Sequence, residues 1–204
     1  MDDRSCTAFQ GLTRIASGPL AEVAAKAKAV VDRGEPSTIL IFDDVTAEPI
    51  EVDFRGSPDE VIARLSGSSE NVAPSQPEQR GPGRPKLGVV AREVTLLPRH
   101  WEWLARQPGG ASVALRKLVD EARRANGEKD RRREAQASTY RFMSALAGNE
   151  PGFEEAARAL FAGNEARFGE VTARWPRDIR DHAMKLAAPT FADQLTGIAS
   201  GPRR

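Results

Sequence analysis

Residues 67–88 constrain the fold of this chain more than any other segment does, because the patterns of strands and helices differ before and after them. The stretch GSSENVAPSQPEQRGPGRPKLG is rich in Gly, Pro and Ser and has no apolar period. This composition is typical of a flexible linker, and an ordered binding loop is the alternative. Strand and helix patterns alternate before the segment, whereas one strand pattern and then only helix patterns follow it. We therefore expect an α+β protein with a domain boundary here.

The N-terminal part, residues 5–66, has strand and helix patterns in the order ββαββα. Two short strands flank Gly11, and an apolar repeat at helical spacing begins near Pro19 and ends at Gly34. STILIFDD and PIEVDF are typical of strands, and Ser57 begins a capping-box pattern for the second helix. We expect a small α/β sandwich-like domain. The predicted inward side chains of its first helix are Leu20, Val23, Ala24, Ala27, Val30 and Val31.

The C-terminal part, residues 128–190, has helical patterns only, and residues 191–204 form a tail. Asn164 is a candidate cap for one helix, and Pro176 begins the last one. Aromatic and methionine side chains at helical spacing indicate a core rather than cofactor contacts. The predicted core side chains are Ala135, Thr139, Phe142, Met143, Leu146, Phe153, Ala156, Ala157, Leu160, Phe161, Phe168, Val171, Trp175, Ile179, Ala183 and Leu186.

Charge is unevenly distributed, although the net charge of the whole chain is +1. Residues 1–79 carry 7 basic and 14 acidic side chains, a net charge of −7. Residues 80–133, the basic segment, carry 14 basic and 6 acidic side chains, a net charge of +8, and residues 134–204 carry 9 of each. Such a segment is either a solvated helical surface or an electrostatic footprint for an anion such as nucleic acid.

A strand-helix-helix pattern occupies residues 89–127, inside the basic segment. A strand over 90–97 ends in Leu-Pro, Pro98 begins a short helix, and a glycine turn leads to a second helix that Ser112 caps. About 35 residues bury too little surface to fold alone, so we expect a second copy to complete the core as a homodimer. The C-terminal helices are the alternative cover. The side chains that need covering form the apolar stripe: Leu115, Leu118, Val119 and Ala122.

Residues 90–124, VAREVTLLPRHWEWLARQPGGASVALRKLVDEARR, resemble the ribbon-helix-helix repressors of the Arc and MetJ type in the order of these elements. The resemblance implies a homodimer whose two-stranded ribbon enters the major groove of DNA. It also implies that the start of the second helix, at Gly110 and Ser112, lies near a phosphate, a role that free N–H groups suit.

Two observations bear on the predicted DNA contacts. The family's base-facing register presents Arg92 and two apolar side chains, whereas a shift by one residue presents Thr95 and Glu93. Upstream, GRPK at residues 83–86 is similar to part of the AT-hook, whose Arg-Gly-Arg-Pro core lies in the minor groove, although Pro82 departs from that pattern. The predicted contact residues are Arg84, Lys86, Arg92, Thr95, Arg99, Gly110, Ser112, Arg116, Arg123 and Arg124.

Residues suited to catalysis or metal binding are few. His100 and His182 lie far apart without a motif partner, so surface or packing roles are expected. Cys6 is the only cysteine, which excludes an intrachain disulfide and a thiolate zinc site. We therefore expect no enzyme activity, no cofactor and no metal. The best candidates for a carboxylate cluster, which a turn after ILIF explains more simply, are Asp43, Asp44 and Asp53.

Over nearly its full length the sequence resembles the bacterial family DUF2239, most specifically in the stretch that begins GRPKLGVV and in TYRFMSALAG and WPRDIRDHA. The resemblance implies a bacterial cytoplasmic protein and supplies no catalytic residue. No apolar run reaches about 18 residues and the first residues do not form a secretion signal, so we expect no membrane span. We expect a dimeric DNA-binding regulator. The alternative is a protein-interaction or stress-adaptor module in which Trp101 and Trp103 serve dimerisation or core packing.

Overall fold

The computed structural model describes residues 5–34, 37–67, 90 and 92–192. By their contacts, residues 5–67 and 129–192 form the first unit, and residues 90–128 belong to the second unit. The chain is of mixed α+β class, as predicted. The strands are β1 Ser5–Gln10, β2 Thr13–Pro19 and β3 Ile39–Asp43, and the helices are α1 Leu20–Val31, α2 Pro58–Gly67, α3 Pro98–Ala105, α4 Gly110–Leu146, α5 Phe153–Ala162, α6 Glu165–Thr172 and α7 Arg177–Phe191.

The three strands form an antiparallel sheet in the order β2-β1-β3. Gly11 adopts a positive φ of 56° in the tight turn between β1 and β2, a conformation that glycine adopts without steric cost. Successive side chains of a strand point to opposite faces. In β1, Cys6 and Ala8 are therefore buried in one apolar cluster, whereas Phe9 is buried in another. The central strand thus has a core on each face.

Helix α1 lies in the cluster on the first face of the sheet. Val23 and Ala27 are buried there together with Ile41 of β3. The predicted inward residue Val31 is exposed instead, because the helix ends there and its last turn extends beyond this cluster. The predicted capping box of α2 is confirmed: the Ser57 N–H donates to the Glu60 carboxylate (2.7 Å), and the Glu60 N–H donates to the Ser57 hydroxyl (3.3 Å).

The second face of the sheet packs on C-terminal helices. Phe9 and Phe42 each lie with their ring centroid 5.4 Å from that of Phe142, which belongs to α4. These aromatic contacts join the N-terminal strands and the C-terminal helices in one core. Fifteen of the sixteen predicted C-terminal core side chains are buried or half-buried, and the exception is Phe161, which is exposed.

Local helix signals in the C-terminal part are also confirmed. The side chain of Asn164 accepts the Arg167 N–H at the start of α6 (3.0 Å). Pro176 occupies the N-cap position of α7. The buried Trp175 indole donates to the carbonyl of Pro151 (3.0 Å), which satisfies its polar atom.

Helix α3 and residues 110–128 of α4 make up the helical part of the second unit. Pro98 is at the start of α3, as predicted, because its fixed φ and missing N–H suit a first helical turn. Gly109 and Gly110 have φ angles of 83° and 75° in the turn before α4. Among the described residues, no helix has the length and apolar character needed to cross a membrane.

Two predicted strands are absent from the single chain. Residues 49–54 are not a strand, because after the isolated bridge between Phe42 and Pro49 the pairing with β3 ends. The last hydrogen bond of this pairing runs from the Ile50 N–H to the Ile41 carbonyl (2.7 Å), and Ile50, Val52 and Phe54 are only half-buried against the cluster on the first face of the sheet. Residues 92–97 have no regular secondary structure in the single chain, because no described segment hydrogen-bonds alongside them, and the predicted pairing of this strand with a second copy stays a prediction.

Helix α4 begins earlier and ends later than predicted. It starts at Gly110, so Ser112 lies inside its first turn and is not its cap. It also continues through Gly127, so the second helix of the basic segment and the first helix of the C-terminal part are one helix. A single glycine costs only about 1 kcal/mol in a helix, which strong helix formers on both sides offset.

Candidate nucleic-acid interface

Most of the predicted contact residues lie on the surface of the second unit. Arg84 and Lys86 are outside the described residues. Gly110 is half-buried. The exposed ones are Arg92, Thr95, Arg99, Ser112, Arg116, Arg123 and Arg124.

The arginines of α4 fold back along their own helix. The Nε of Arg116 donates to the carbonyl of Ser112 (3.1 Å), and the Nε of Arg124 donates to that of Asp120 (3.2 Å). A guanidinium has five N–H donors, so one such bond leaves most of its capacity for an anion. Asp120 lines one shallow depression with Arg123 and Arg124, and its carboxylate reduces the positive potential there.

The predicted phosphate position at the start of α4 needs a correction. The N–H of Gly110 donates to the carbonyl of Gln107 (3.0 Å), so it is not available to a phosphate. The reason is the turn itself: Pro108 and Gly109 are its central residues, and the positive φ of Gly109 (83°) suits a turn that directs the Gly110 N–H back toward the end of α3. Of the two predicted donors at this terminus, the Gly110 amide is therefore already used within the chain, and the role of Ser112 stays a prediction.

The apolar stripe of α4 is largely uncovered. The exposed fractions of Leu118 and Val119 are 43% and 55%, Ala122 is exposed, and only Leu115 is half-buried. Within the described residues of the second unit this stripe therefore lacks full cover, and its predicted burial against a second copy or against the C-terminal helices stays a prediction. Further exposed apolar side chains of the second unit are Val94, Leu97, Trp101 and Trp103.

Asp44, in the first unit, is the centre of a hydrogen-bonded group. Its carboxylate accepts hydrogen bonds from Ser5 (2.8 Å), Thr7 (2.6 Å) and the ammonium of Lys185 (2.8 Å). Burial raises the pKa of Asp44, but these donors outweigh burial and hold the pKa below its usual range. The group ties β1, the turn after β3 and α7 together, which is a structural role.

The other two predicted carboxylates do not join Asp44 in a cluster. The side chain of Asp43 accepts the N–H groups of Val45 and Thr46 (2.8 Å each), so the turn interpretation is confirmed. Asp53 forms an ion pair with Arg55 (2.7 Å). No group of three or more His, Cys, Asp or Glu side chains comes together as a metal site in the described part of the chain.

His182 is the most unusual titratable residue. Its side chain is buried, with ring centroids 4.5 Å from Phe142 and 5.3 Å from Phe9, and its Nε2 has no hydrogen-bond partner among the described residues. Burial lowers the pKa of His182 to about 4, although the carboxylate of Asp44 opposes the shift. The predicted packing role fits this environment. The sequence carried a signal for it, since His182 lies three residues after Ile179 on the buried stripe of α7.

The positions of His100 and Cys6, the remaining candidates for catalysis or metal binding, give neither of them such a role. His100 is exposed on α3. Cys6 is buried, and burial together with the nearby Asp44 and Asp43 carboxylates raises the pKa of its thiol to about 11. A thiol with so high a pKa is a poor nucleophile at neutral pH.

A family profile matches the chain over residues 5–187, and its description is "Uncharacterized protein conserved in bacteria (DUF2239)". The chain belongs to the DUF2239 family. The match begins at the first residue of β1 and ends inside α7, so the sheet, the basic segment and the helical region are all parts of one DUF2239 sequence. No curated protein and no solved structure matches the chain.

Proposed function

We propose that this DUF2239 protein is a dimeric DNA-binding regulator that contacts a second copy and duplex DNA through its second unit. The single observation that carries the proposal is the uncovered apolar stripe of α4 with arginines along its border. On a helix, residues three and four positions apart are neighbours. Arg116 and Arg123 are therefore the neighbours of Val119 on the helix surface.

The apolar stripe supports the dimer. Burying a leucine or valine side chain fully stabilises a protein by about 1.5–3 kcal/mol, so Leu118 and Val119 favour association with a surface of the same kind. If a two-fold symmetry axis at the stripe relates the two copies, the same stripe residues of both copies come together. The bordering arginines of both copies then lie at the rim of the interface, where they remain open to solvent and to phosphates.

Light scattering tests the dimer. Val119→Glu places a charge in the proposed interface, and we expect it to convert a dimer into a folded monomer at micromolar concentration. The matched control is Val45→Glu, since Val45 is an exposed valine of the first unit. A wild-type chain that is monomeric under the same conditions contradicts the dimer.

Salt-dependent binding tests the DNA contact. We expect a duplex of about 20 base pairs to bind with a log K that falls as log salt rises, by about 0.9 per phosphate contact. Replacing Arg123 and Arg124 with Gln should weaken binding to all sequences and reduce the slope by about 1.8, without a change in melting temperature. The matched control replaces Arg174 and Arg177, two exposed arginines of the first unit, with Gln. A folded wild-type protein that retains no duplex at low salt would refute the proposal.

A second candidate function is a protein-interaction module without nucleic-acid binding. The observation in its favour is the exposure of Trp101 and Trp103 on α3, because exposed tryptophans are enriched in protein–protein interfaces. The two candidates differ in one measurement. If Trp101→Ala removes the dimer while neither the wild type nor the variant binds duplex DNA, the interaction module is the better description.

A further inference from the structure

A groove in the first unit carries an inference beyond duplex binding. It has a volume of about 530 Å³ and lies between one side of α4 and the end of α5. We define it as the aromatic groove. The lining side chains that matter for its chemistry are Arg133, Gln136, Tyr140 and Arg141 of α4 and Phe161 of α5.

Two exposed aromatic rings lie side by side in the aromatic groove. The exposed fractions of Tyr140 and Phe161 are 41% and 53%, and their ring centroids are 5.7 Å apart. Phe153, half-buried below, supports Tyr140 at a centroid distance of 6.1 Å. The helical pattern predicts Phe161 in the core, so its exposure is the departure that a functional surface explains.

The position of Phe161 is held by hydrogen bonds between the two helices. The side-chain amide of Gln136 donates to the carbonyls of Leu160 and Phe161, at 3.2 Å each. These carbonyls belong to the last turn of α5, where the Leu160 carbonyl also accepts the N–H of Gly163 (3.0 Å). The amide therefore fixes the end of α5 against α4, and the ring of Phe161 is presented on an ordered backbone.

Positive charge lies at both ends of the aromatic groove. Arg133 and Arg141 are eight residues apart on α4, which corresponds to about 12 Å along a helix axis. None of the described residues that line the groove is acidic. Arg133 pairs with Asp130 outside the groove (3.0 Å), whereas Arg141 donates to the neutral carbonyl of Thr46 and forms no ion pair with a described carboxylate.

We propose that the aromatic groove binds single-stranded nucleic acid. One unpaired base stacks on the exposed surface of Tyr140 and another on that of Phe161, because the two rings contact each other, with their planes tilted by 51°, and leave no space for a base between them. The adjacent phosphates lie near Arg133 and Arg141. Duplex DNA does not offer the faces of its bases, so this site is distinct from the proposed duplex contact. Aromatic platforms bordered by basic side chains bind single strands with little sequence preference, since every base has a π face.

The test measures binding of a labelled oligothymidine of about 12 nucleotides to the full chain by fluorescence anisotropy. We expect Tyr140→Ala and Phe161→Ala each to weaken binding about tenfold, which is within the range for loss of one stacked base. Tyr140→Phe keeps the ring and should retain binding. The circular dichroism spectrum should be unchanged and the melting temperature should fall only slightly, because about half of each side chain is exposed.

Further variants test the contribution of the arginine charge and whether the groove binds nucleic acid or a protein. Arg141→Gln should weaken oligothymidine binding and flatten its salt dependence, whereas Arg177→Gln, a matched exposed arginine of α7, should do neither. The Arg123 and Arg124 double variant should retain oligothymidine binding, which separates failure of this proposal from failure of the duplex proposal.

Equal affinity for an abasic oligonucleotide, or unchanged affinity in a folded Tyr140→Ala variant, would overturn stacking. Loss of self-association or of peptide binding in Phe161→Ala, with oligothymidine affinity unchanged, would assign the groove to a protein and overturn the proposal.

Discussion

His182 should make the stability of this protein depend on pH between neutral and mildly acidic conditions. Its side chain is 1% exposed, its ring lies against Phe9 and Phe142, and in the part of the chain that the structure describes no group hydrogen-bonds to its Nε2. An imidazolium in this position would be a buried charge, which is why burial lowers the pKa of His182 from 6.5 to about 4 in the folded protein.

The sign and size follow from proton linkage. The unfolded chain binds a proton at His182 near pH 6.5, whereas the folded chain does so only near pH 4. The stabilisation by neutral His182 is therefore fully present above pH 6.5 and is lost as the pH falls towards 4. Each unit of pKa difference corresponds to about 1.4 kcal/mol, so the full effect is about 3 kcal/mol. Between about pH 7 and pH 5 the free energy of unfolding should fall by about 2 kcal/mol.

Urea unfolding, followed by the fluorescence of the buried Trp175, measures this change. His182→Leu removes the titrating group at similar volume and should give a free energy of unfolding that is nearly constant over the same pH range. His100→Gln is the control, because His100 is exposed and the variant should keep the wild-type pH dependence. Asp44 has a lowered pKa and affects stability only below its usual value of 3.8, outside this range. The same pH slope in His182→Leu as in the wild type would refute the assignment.

Three further predictions concern stability, and urea or thermal unfolding checks each of them. Leu160→Ala should lower the free energy of unfolding by about 2–5 kcal/mol, because the Leu160 side chain is fully buried. Phe161→Ala should lower it by less than about 1 kcal/mol, because Phe161 is exposed. Equal losses of stability in the two variants would contradict this difference in burial. Gly127→Ala should stabilise the protein by about 0.5–1 kcal/mol, because alanine favours the helix and its methyl group would meet no described atom within 4 Å. A loss of stability in this variant would contradict the prediction that the methyl group fits without a clash. Asp44→Asn should cost about 1–3 kcal/mol by weakening the bond from Lys185, and an unchanged midpoint would show that the group contributes nothing.

The candidate interface was only partly predictable from sequence. The positive charge of residues 80–133 and the apolar stripe follow from counting and helical spacing, and the exposed side chains of α4 agree with both. Strand pairing was not predictable in the same way, because a strand exists only with a neighbour, and residues 92–97 have none among the described residues. The helical pattern did not indicate the aromatic groove, because α5 carries an apolar side chain, Phe161, on its exposed face as well as apolar side chains on its buried face.

Helix boundaries set by local chemistry were determined by the sequence itself. The capping box at Ser57, the cap at Asn164 and the proline at Pro98 involve groups within four residues, so they act wherever the helix is located. The tertiary structure alone decided that Phe9 of the central strand meets Phe142, more than a hundred residues later. Alternation shows that a strand has two faces, but only packing between distant segments determines which helices cover each of them.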